Sequence, residues 1–273
     1  MSGSLRAFAA LTAEAFRDGL RRRFAFAVAL FLLAAGMGAE SCTDLRGASF
    51  SVNQHAIPTE VLAGFVAPLL VAWQAIAVLL ITGVVAAEHL SRPLAEGSAA
   101  LWLARPVSRE TFAGARLAGA LGIGLGAGAL LLGTSASLLA VRQHLPVAPA
   151  LAAALAAALG ALAVAALAMA TSLVLGRSAV LLLVVGGIPA IALANAVVLV
   201  GQLVHPDVEV GGVLGAVDRF APPLGTAIFA AVAPWNPHVD ATGMLGSALG
   251  RLAVWAIGAT LLLVLAFRRT EVE

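Results

Sequence analysis

The feature that most constrains this chain is a set of long apolar runs with almost no charged residues. A helix that crosses a membrane needs about 20 predominantly apolar residues. Residues 61–87, 112–141, 147–175, 178–204 and 244–267 meet that requirement, and residues 24–39 meet it if the preceding helix extends them. The runs predict an all-α integral membrane protein with six transmembrane helices in a single domain, residues 1–273.

Composition agrees with a membrane protein. Hydrophobic residues make up 61% of the chain and charged residues 11%, and the mean hydropathy is +1.02. A soluble domain is nearer half apolar and a quarter charged. The basic residues are all arginines, in short clusters beside the apolar runs rather than on one long face with interleaved aromatics. We therefore expect membrane lipid as a contact and no nucleic acid as a partner.

The arginines also predict an orientation. Twelve of the 16 lie at the N-terminus, in the connections after the second and fourth spans, or at the C-terminus. Arg46, Arg142, Arg219 and Arg251 lie on the other side. Because cytoplasmic segments carry the excess of basic residues, both termini are expected in the cytoplasm. The loops near residues 40–60 and 205–243 are then extracytoplasmic.

Two segments outside the spans carry helical patterns. Residues 5–22 place Leu5, Phe8 and Phe16 on one face and Arg17 and Arg21 on another, which favours an amphipathic helix in the membrane interface. The alternative is a simple extension of the first span. Residues 221–235 are apolar, bounded by prolines and too short to cross. They predict a partly embedded external segment before the last span, with a loop packed on the bundle as the alternative.

Several kinds of chemistry are not supported by the motifs. A P-loop uses a lysine to reach nucleotide phosphates, and the chain contains no lysine. HExxH and GxSxG do not occur, and the glycines of residues 122–128 fit close helix packing better than a dinucleotide site. His205, Asp207 and Glu209 favour a solvated loop over a metal site, and Cys42 is a lone cysteine. We expect a non-enzymatic chain without metal or cofactor.

Polar residues within the spans are few. Asn195, Gln74 and Thr82 are among them, and hydrogen bonding between helices is their expected role. No carboxylate or histidine lies in the middle of a span, where a proton-coupled transporter usually places one. This absence disfavours a secondary transporter.

The connection between the second and third spans is unusually polar. It reads EGSAALWLARPVSRETFAGARL over residues 96–117. Ser91 is expected to cap a short helix over residues 93–104, and Ser108 to cap the third span, with Glu110 at its positive end. Arg105 precedes Pro106 and should leave helical geometry. Such a short helix across the cytoplasmic face suits a part that receives force from a soluble partner. The alternative is a solvated connector that obeys the positive-inside rule.

This connection resembles the segment after the second span of ABC-2 type permeases, the membrane subunits of one class of ABC transporter. The family pattern is Glu-x-Gly-Thr or Glu-Gly-Thr, then apolar residues, then Pro-Val-Ser-Arg and a later basic residue. It is matched by Glu96, Gly97, Pro106, Val107, Ser108 and Arg109, with Ser98 in place of Thr and Arg116 in place of Lys. Residues 13–31 are similar to the opening of these permeases. The branch that includes the permeases of nitrous oxide reductase maturation and of gliding motility is the most similar.

The resemblance implies a non-catalytic permease subunit of the bacterial inner membrane. It would form a homodimer or heterodimer, dock an ABC ATPase subunit on its cytoplasmic loop around residues 91–110 and act as an exporter of a cargo that the sequence does not identify. The residues implied in coupling to the ATPase are Glu96, Gly97, Trp102, Arg105, Pro106, Ser108 and Arg109. A secondary transporter, or another polytopic protein without coupling to ATP, is the alternative.

Overall fold

The computed structural model describes residues 3–21, 31, 34–41, 50–52, 55–57, 59–104, 107–204, 211–236, 239 and 241–269. Helices dominate this part of the chain. In order they are α1 (Gly3–Leu20), α2 (34–41), α3 (Thr59–His89), α4 (Ser91–Ala95), α5 (Ser98–Leu103), α6 (Arg109–Gln143), α7 (Ala148–Ser172), α8 (Arg177–Leu182), α9 (Ile188–Val204), α10 (Gly212–Phe220), α11 (Leu224–Val232) and α12 (Thr242–Arg269). A short antiparallel hairpin, β1 (Phe50–Val52) with β2 (His55–Ile57), lies between α2 and α3.

Five helical segments of the described chain have the length and apolar composition that a membrane span requires. They are Gly64–Ala95, Arg109–Gln143, Ala148–Ser172, Arg177–Leu203 and Gly243–Arg269. They correspond to the second to sixth apolar runs. The first run, residues 24–39, lies mostly outside the described residues, so the count of six spans stays a prediction. Its described end is helical in α2, where Ala35 packs against Ala77, Val78 and Leu131.

The alanine-rich helix α7 forms the centre of the bundle and packs against α3, α6, α11 and α12. Its small side chains allow neighbouring backbones to approach closely. Glycines do the same on α6: a β-carbon on Gly124 would overlap Thr82 Oγ1 on α3, and one on Gly128 would lie 3.3 Å from Val78. The expected packing role is therefore confirmed for this pair, whereas Gly126 faces open space.

The apolar run 178–204 is one continuous helix with a π-helical turn, Leu183–Gly187, between α8 and α9. Pro189 follows this turn and has no N–H to donate to the preceding turn. In membrane helices, a local π-helical turn is one of the adjustments that satisfy the backbone groups freed by a proline. The proline is thus accommodated without ending the span.

Helix α1 is present where the amphipathic pattern predicts it, and its interfacial position stays a prediction. Leu11, Ala15 and Gly19 are buried against α6, while Leu5 and Leu20 are exposed. The apolar surface of α1 is thus divided: one strip faces the bundle and another faces outward. Because α6 exposes glycine opposite α1, the two backbones approach closely enough to bury Ala15 fully.

The predicted apolar segment 221–235 forms α11 and a 3₁₀ turn, Ala233–Trp235. It packs among α7, α9 and α12, with most of its side chains buried. Trp235 Nε1 donates a hydrogen bond to the Pro146 carbonyl oxygen at 2.9 Å, which fixes the end of this segment to the connection between α6 and α7. A helix exists here; its depth in a membrane stays a prediction.

Candidate functional site

The connection between α3 and α6 begins without a loop. α3 ends at His89, the fully buried Leu90 follows, and α4 starts at Ser91. The prediction that Ser91 caps this helix is wrong. Its hydroxyl instead donates to the Ala87 carbonyl oxygen at 2.9 Å, one turn back in α3. Because the chain stays helical through this point, the first N–H groups of α4 already have partners in the preceding turn.

A turn at Glu96 and Gly97 divides the predicted helix 93–104 into α4 and α5. Gly97 has φ of +71°, a left-handed conformation that glycine adopts without steric cost. The single helix expected from the sequence is therefore wrong. Glu96 accepts from Arg92 Nε at 2.5 Å, with both side chains about half exposed. Such an exposed pair contributes roughly 0–1 kcal/mol, so it orients Glu96 more than it stabilises the turn.

Ser108 caps α6, as the sequence predicts. Its hydroxyl oxygen accepts from the Thr111 backbone N–H at 3.2 Å. A serine at this position satisfies one of the unpaired N–H groups of the first turn. Glu110 lies in that first turn, where a negative side chain interacts favourably with the helix dipole.

The last turn of α12 is held against the first turn of α6. Arg268 Nε donates to Glu110 Oε1 at 2.6 Å, and Arg109 Nη1 donates to the Arg268 carbonyl oxygen at 3.1 Å. The second contact satisfies one of the carbonyl groups that every helix C-terminus leaves unpaired. Arg109 therefore acts inside the chain as a link between α6 and α12.

A recess of about 510 Å³ opens beside this link. It is lined by Ala100, Leu103, Ala104, Val107, Ser108 and Arg109. Apolar side chains of α5 supply much of the lining, and Ser108 and Arg109 supply hydrogen-bond donors.

The remaining predicted residues of this connection are placed only in part. Trp102 lies within α5, and Arg105 and Pro106 lie outside the described residues. The structure therefore brings Gly97, Glu96, Ser108 and Arg109 to one end of the bundle.

Further ion pairs tie other helices to the same end. Arg177 Nη2 donates to Glu88 Oε1 at 2.5 Å, which joins the start of α8 to the end of α3. We call this the arginine-rich end, defined by Glu88, Arg92, Arg109, Arg177 and Arg268. Arg142, by contrast, pairs with Glu40 at 3.2 Å, at the far ends of α6 and α2. Among the described arginines, Arg92, Arg109, Arg177 and Arg268 thus lie at one end and Arg142 at the other. The side of the membrane that each end faces stays a prediction.

The sequence does not reveal how α1 joins this end. Arg116 on α6 is 4% exposed and lies 3.7 Å from Glu14 and 3.7 Å from Asp18 of α1, with its guanidinium over the Phe112 ring. The pattern that could have shown this is an acidic pair four residues apart on α1 together with a lone arginine inside an apolar run. His89 adds a second tie, because its Nε2 lies 3.1 Å from the Ala15 carbonyl oxygen.

At the opposite end a second polar cluster joins four helices. Asn195 of α9 donates to Asp218 of α10, and Thr226 of α11 and Arg251 of α12 also contact Asp218. The expected helix-to-helix hydrogen bonding is confirmed for Asn195. Thr82 instead donates to Val78 of its own helix.

Candidate metal ligands are not gathered in the part of the chain that the structure describes: no group of three His, Cys, Asp or Glu side chains there could hold an ion. His205, Asp207, Glu209 and Cys42 lie outside the described residues.

Comparison of the chain with models of known protein families and with functionally characterised proteins finds no match.

Proposed function

We propose that this chain is the permease subunit of an ABC transporter, with the segment from Ser91 to Arg109 as the docking site for a separate ATPase subunit. The assembly would be an exporter that contains two permease chains, and ATP would be hydrolysed only on the partner. The resemblance of residues 96–117 to ABC-2 permeases supports this assignment, as do the five apolar helices of span length.

The observation that carries the proposal is the way this segment is anchored. It follows α3 after one buried residue and leads into α6 through the Ser108 cap, and Arg109 and Glu110 hold the end of α12. A load applied to the segment would therefore reach three long helices directly. A solvated connector would need no such attachment.

The structure changes the role that we assign to Arg109. Its guanidinium donates to a carbonyl at the end of α12, so it positions the recess as well as lining it. Lysine keeps the charge but offers no planar fork of donors. We therefore expect Arg109→Lys to loosen α12 at the docking site rather than to remove one contact with the partner.

The decisive experiment is purification of the tagged chain from its source cells in mild detergent, with ATP hydrolysis assayed in the eluate. We expect an ATPase subunit to co-purify. Arg109→Lys and Glu96→Gln should each lower the recovery of the ATPase subunit or uncouple ATP hydrolysis from transport. The loss in association free energy should be on the order of 1–3 kcal/mol per charged contact. Pro106→Ala should act in the same direction, because proline restricts the chain between α5 and α6.

Matched controls are available at the other end of the bundle. Arg142→Lys and Glu40→Gln change the same residue types in an ion pair on α6 and α2, and both should leave ATPase recovery unchanged. If both sets of variants change ATPase recovery equally, the segment from Ser91 to Arg109 is only a connector between two spans. Hydrolysis of ATP by a preparation that contains this chain alone would contradict the permease assignment outright, because the chain has no lysine for a P-loop.

A secondary transporter is the second candidate, and the contact between Asp218 of α10 and Arg251 of the span-length helix α12 favours it. Ionisable residues within membrane-spanning segments often mark the path of a substrate or proton. Transport that persists after ATP depletion and stops when the proton gradient collapses would support this candidate against the first.

A further inference from the structure

The polar cluster around Asp218 combines one fully buried side chain, that of Asn195, with the partly exposed side chains of Asp218 and Arg251. Asp218 Oδ1 accepts from Asn195 Nδ2 at 2.9 Å and from Thr226 Oγ1 at 3.4 Å. Arg251 Nη1 lies 3.9 Å from Oδ2, and Arg251 Nη2 donates to the Asp218 carbonyl oxygen. Asn195 is fully buried, and its Oδ1 accepts from the Gly225 N–H at 3.2 Å.

The depth of this cluster follows from helix geometry. Arg251 lies nine residues after Thr242, where α12 begins, and Asn195 lies nine residues before Val204, where α9 ends, which is about 14 Å along each helix at 1.5 Å per residue. α10 therefore runs along α9 from near Gln202 toward Asn195, and α11 runs back in the opposite direction. At the turn, Gly225 lies so close to α9 that a β-carbon would overlap the Ala192 carbonyl oxygen.

A cavity of about 610 Å³ lies beside the cluster. Its polar lining consists of Gln202, Asp218, Arg219 and Arg251, together with the backbone at Gly211 and Gly212. These side chains carry two positive charges and one negative charge. The N-terminus of α10 adds N–H groups, since no side chain caps it and its first turn contains no acidic residue. Within the part of the lining that the structure describes, cationic side chains and N–H groups thus outnumber the single carboxylate, which suits an anion.

An apolar cavity of about 350 Å³ adjoins the polar one. It is lined by Val184, Ile188, Trp255 and other apolar side chains of α7, α8, α9 and α11. Phe220 lines both cavities and is 74% exposed. An anionic head and an apolar chain on one molecule would therefore fill both, with Phe220 at the junction.

We propose that these two cavities, which share Phe220, together bind an anionic lipid, with the headgroup phosphate between Arg219 and Arg251 and an acyl chain against Phe220 and Trp255. Asp218 positions the Arg251 guanidinium through its carboxylate and carbonyl oxygens. The site lies away from the segment Ser91 to Arg109, so it holds whether or not an ATPase docks there.

The test is native mass spectrometry of the full chain with phosphatidylglycerol, in a detergent that preserves bound lipid. Arg219→Gln should weaken phosphatidylglycerol binding about tenfold, the loss expected for one charge-assisted hydrogen bond. Arg219 is exposed, so the variant should fold, and size-exclusion chromatography with a melting curve would verify this. Arg142→Gln is the matched control, with an expected change below about twofold, because it removes only general surface attraction.

Two further measurements identify the ligand. Phosphatidylcholine should bind at least about tenfold more weakly than phosphatidylglycerol, since its headgroup has no net charge. Phe220→Ser should weaken long-chain more than short-chain phosphatidylglycerol, because the apolar free energy scales with the area buried.

Three results would overturn the assignment. Equal losses for Arg219→Gln and Arg142→Gln would mean that the lipid responds only to surface charge. Equal binding of the two lipids would remove the anion requirement. Displacement of phosphatidylglycerol by glycerol 3-phosphate at matched concentration would show a site for a free phosphate rather than for a lipid.

Discussion

Replacement of Asn195 by alanine should destabilise the bundle more than any comparable change of a polar residue on α9. Asn195 is fully buried and makes two contacts, one to the Asp218 carboxylate and one to the Gly225 N–H. Alanine removes both. The Gly225 N–H then loses its side-chain partner at a point where helices α9 and α11 approach closely.

The magnitude follows from the two contacts. A hydrogen bond to a charged group contributes about 1.5–3 kcal/mol, and a buried donor left unsatisfied costs about 1–3 kcal/mol. Hydrogen bonds between helices in a bilayer average only about 0.6 kcal/mol, because the unfolded helices also find partners. Asn195 is enclosed by protein, which favours the larger figures, so we expect a loss of about 2–4 kcal/mol. For a chain of this size that is roughly 5–15 °C in melting temperature.

The assay is thermal unfolding of the purified chain in detergent. Thr226→Val is the matched control, since it removes a longer contact of 3.4 Å to the same carboxylate, and it should lower the melting temperature by no more than about 4 °C. Asn195→Leu keeps the side-chain volume and loses the hydrogen bonds, and it should resemble alanine. If Asn195→Leu has the same melting temperature as the wild type, packing rather than hydrogen bonding explains the stabilising effect of Asn195. The hydrogen bonds of Asn195 then contribute nothing measurable to stability.

Two further predictions test packing and orientation. Gly124→Ala should destabilise the bundle by about 1–3 kcal/mol, because the new β-carbon overlaps Thr82, even though alanine has the better helix propensity. Gly126 faces open space, so Gly126→Ala should be neutral or stabilising in the same melting assay. Cys42 should react with a membrane-impermeant thiol reagent added outside intact cells, because its loop lacks the arginine clusters of the other side; labelling only after the cells are opened would reverse the orientation.

The helices of this chain could be predicted from its sequence because their cause is local. About 20 apolar residues with few or no charges have no stable alternative to a helix in lipid, and five such runs became helices of span length. The Ser108 cap was also predictable, since a hydroxyl, an acidic residue two positions later and an apolar run specify a helix start. Local chemistry determined both.

The contacts between distant segments could not be predicted in the same way. Asn195, Asp218 and Arg251 are separated by 23 and 33 residues, and nothing in their spacing indicates that they meet. The break at Gly97 was missed for a different reason. Glycine inside an apolar helical pattern is tolerated at a cost of about 1 kcal/mol, so the sequence alone could not decide between a continuous helix and a left-handed turn.

α12 connects the two regions to which we assign a function. Arg268, in its last turn, contacts Glu110 at the docking segment, and Arg251 lines the polar cavity. The two arginines are separated by about 17 residues, or about 26 Å of helix. If a helix of this length that packs on α7 moves as a rigid body, a shift at the arginine-rich end changes the position of Arg251 against Asp218, unless α10 moves with α12. In the proposed transporter, docking would therefore act on the proposed lipid site through the displacement of one helix.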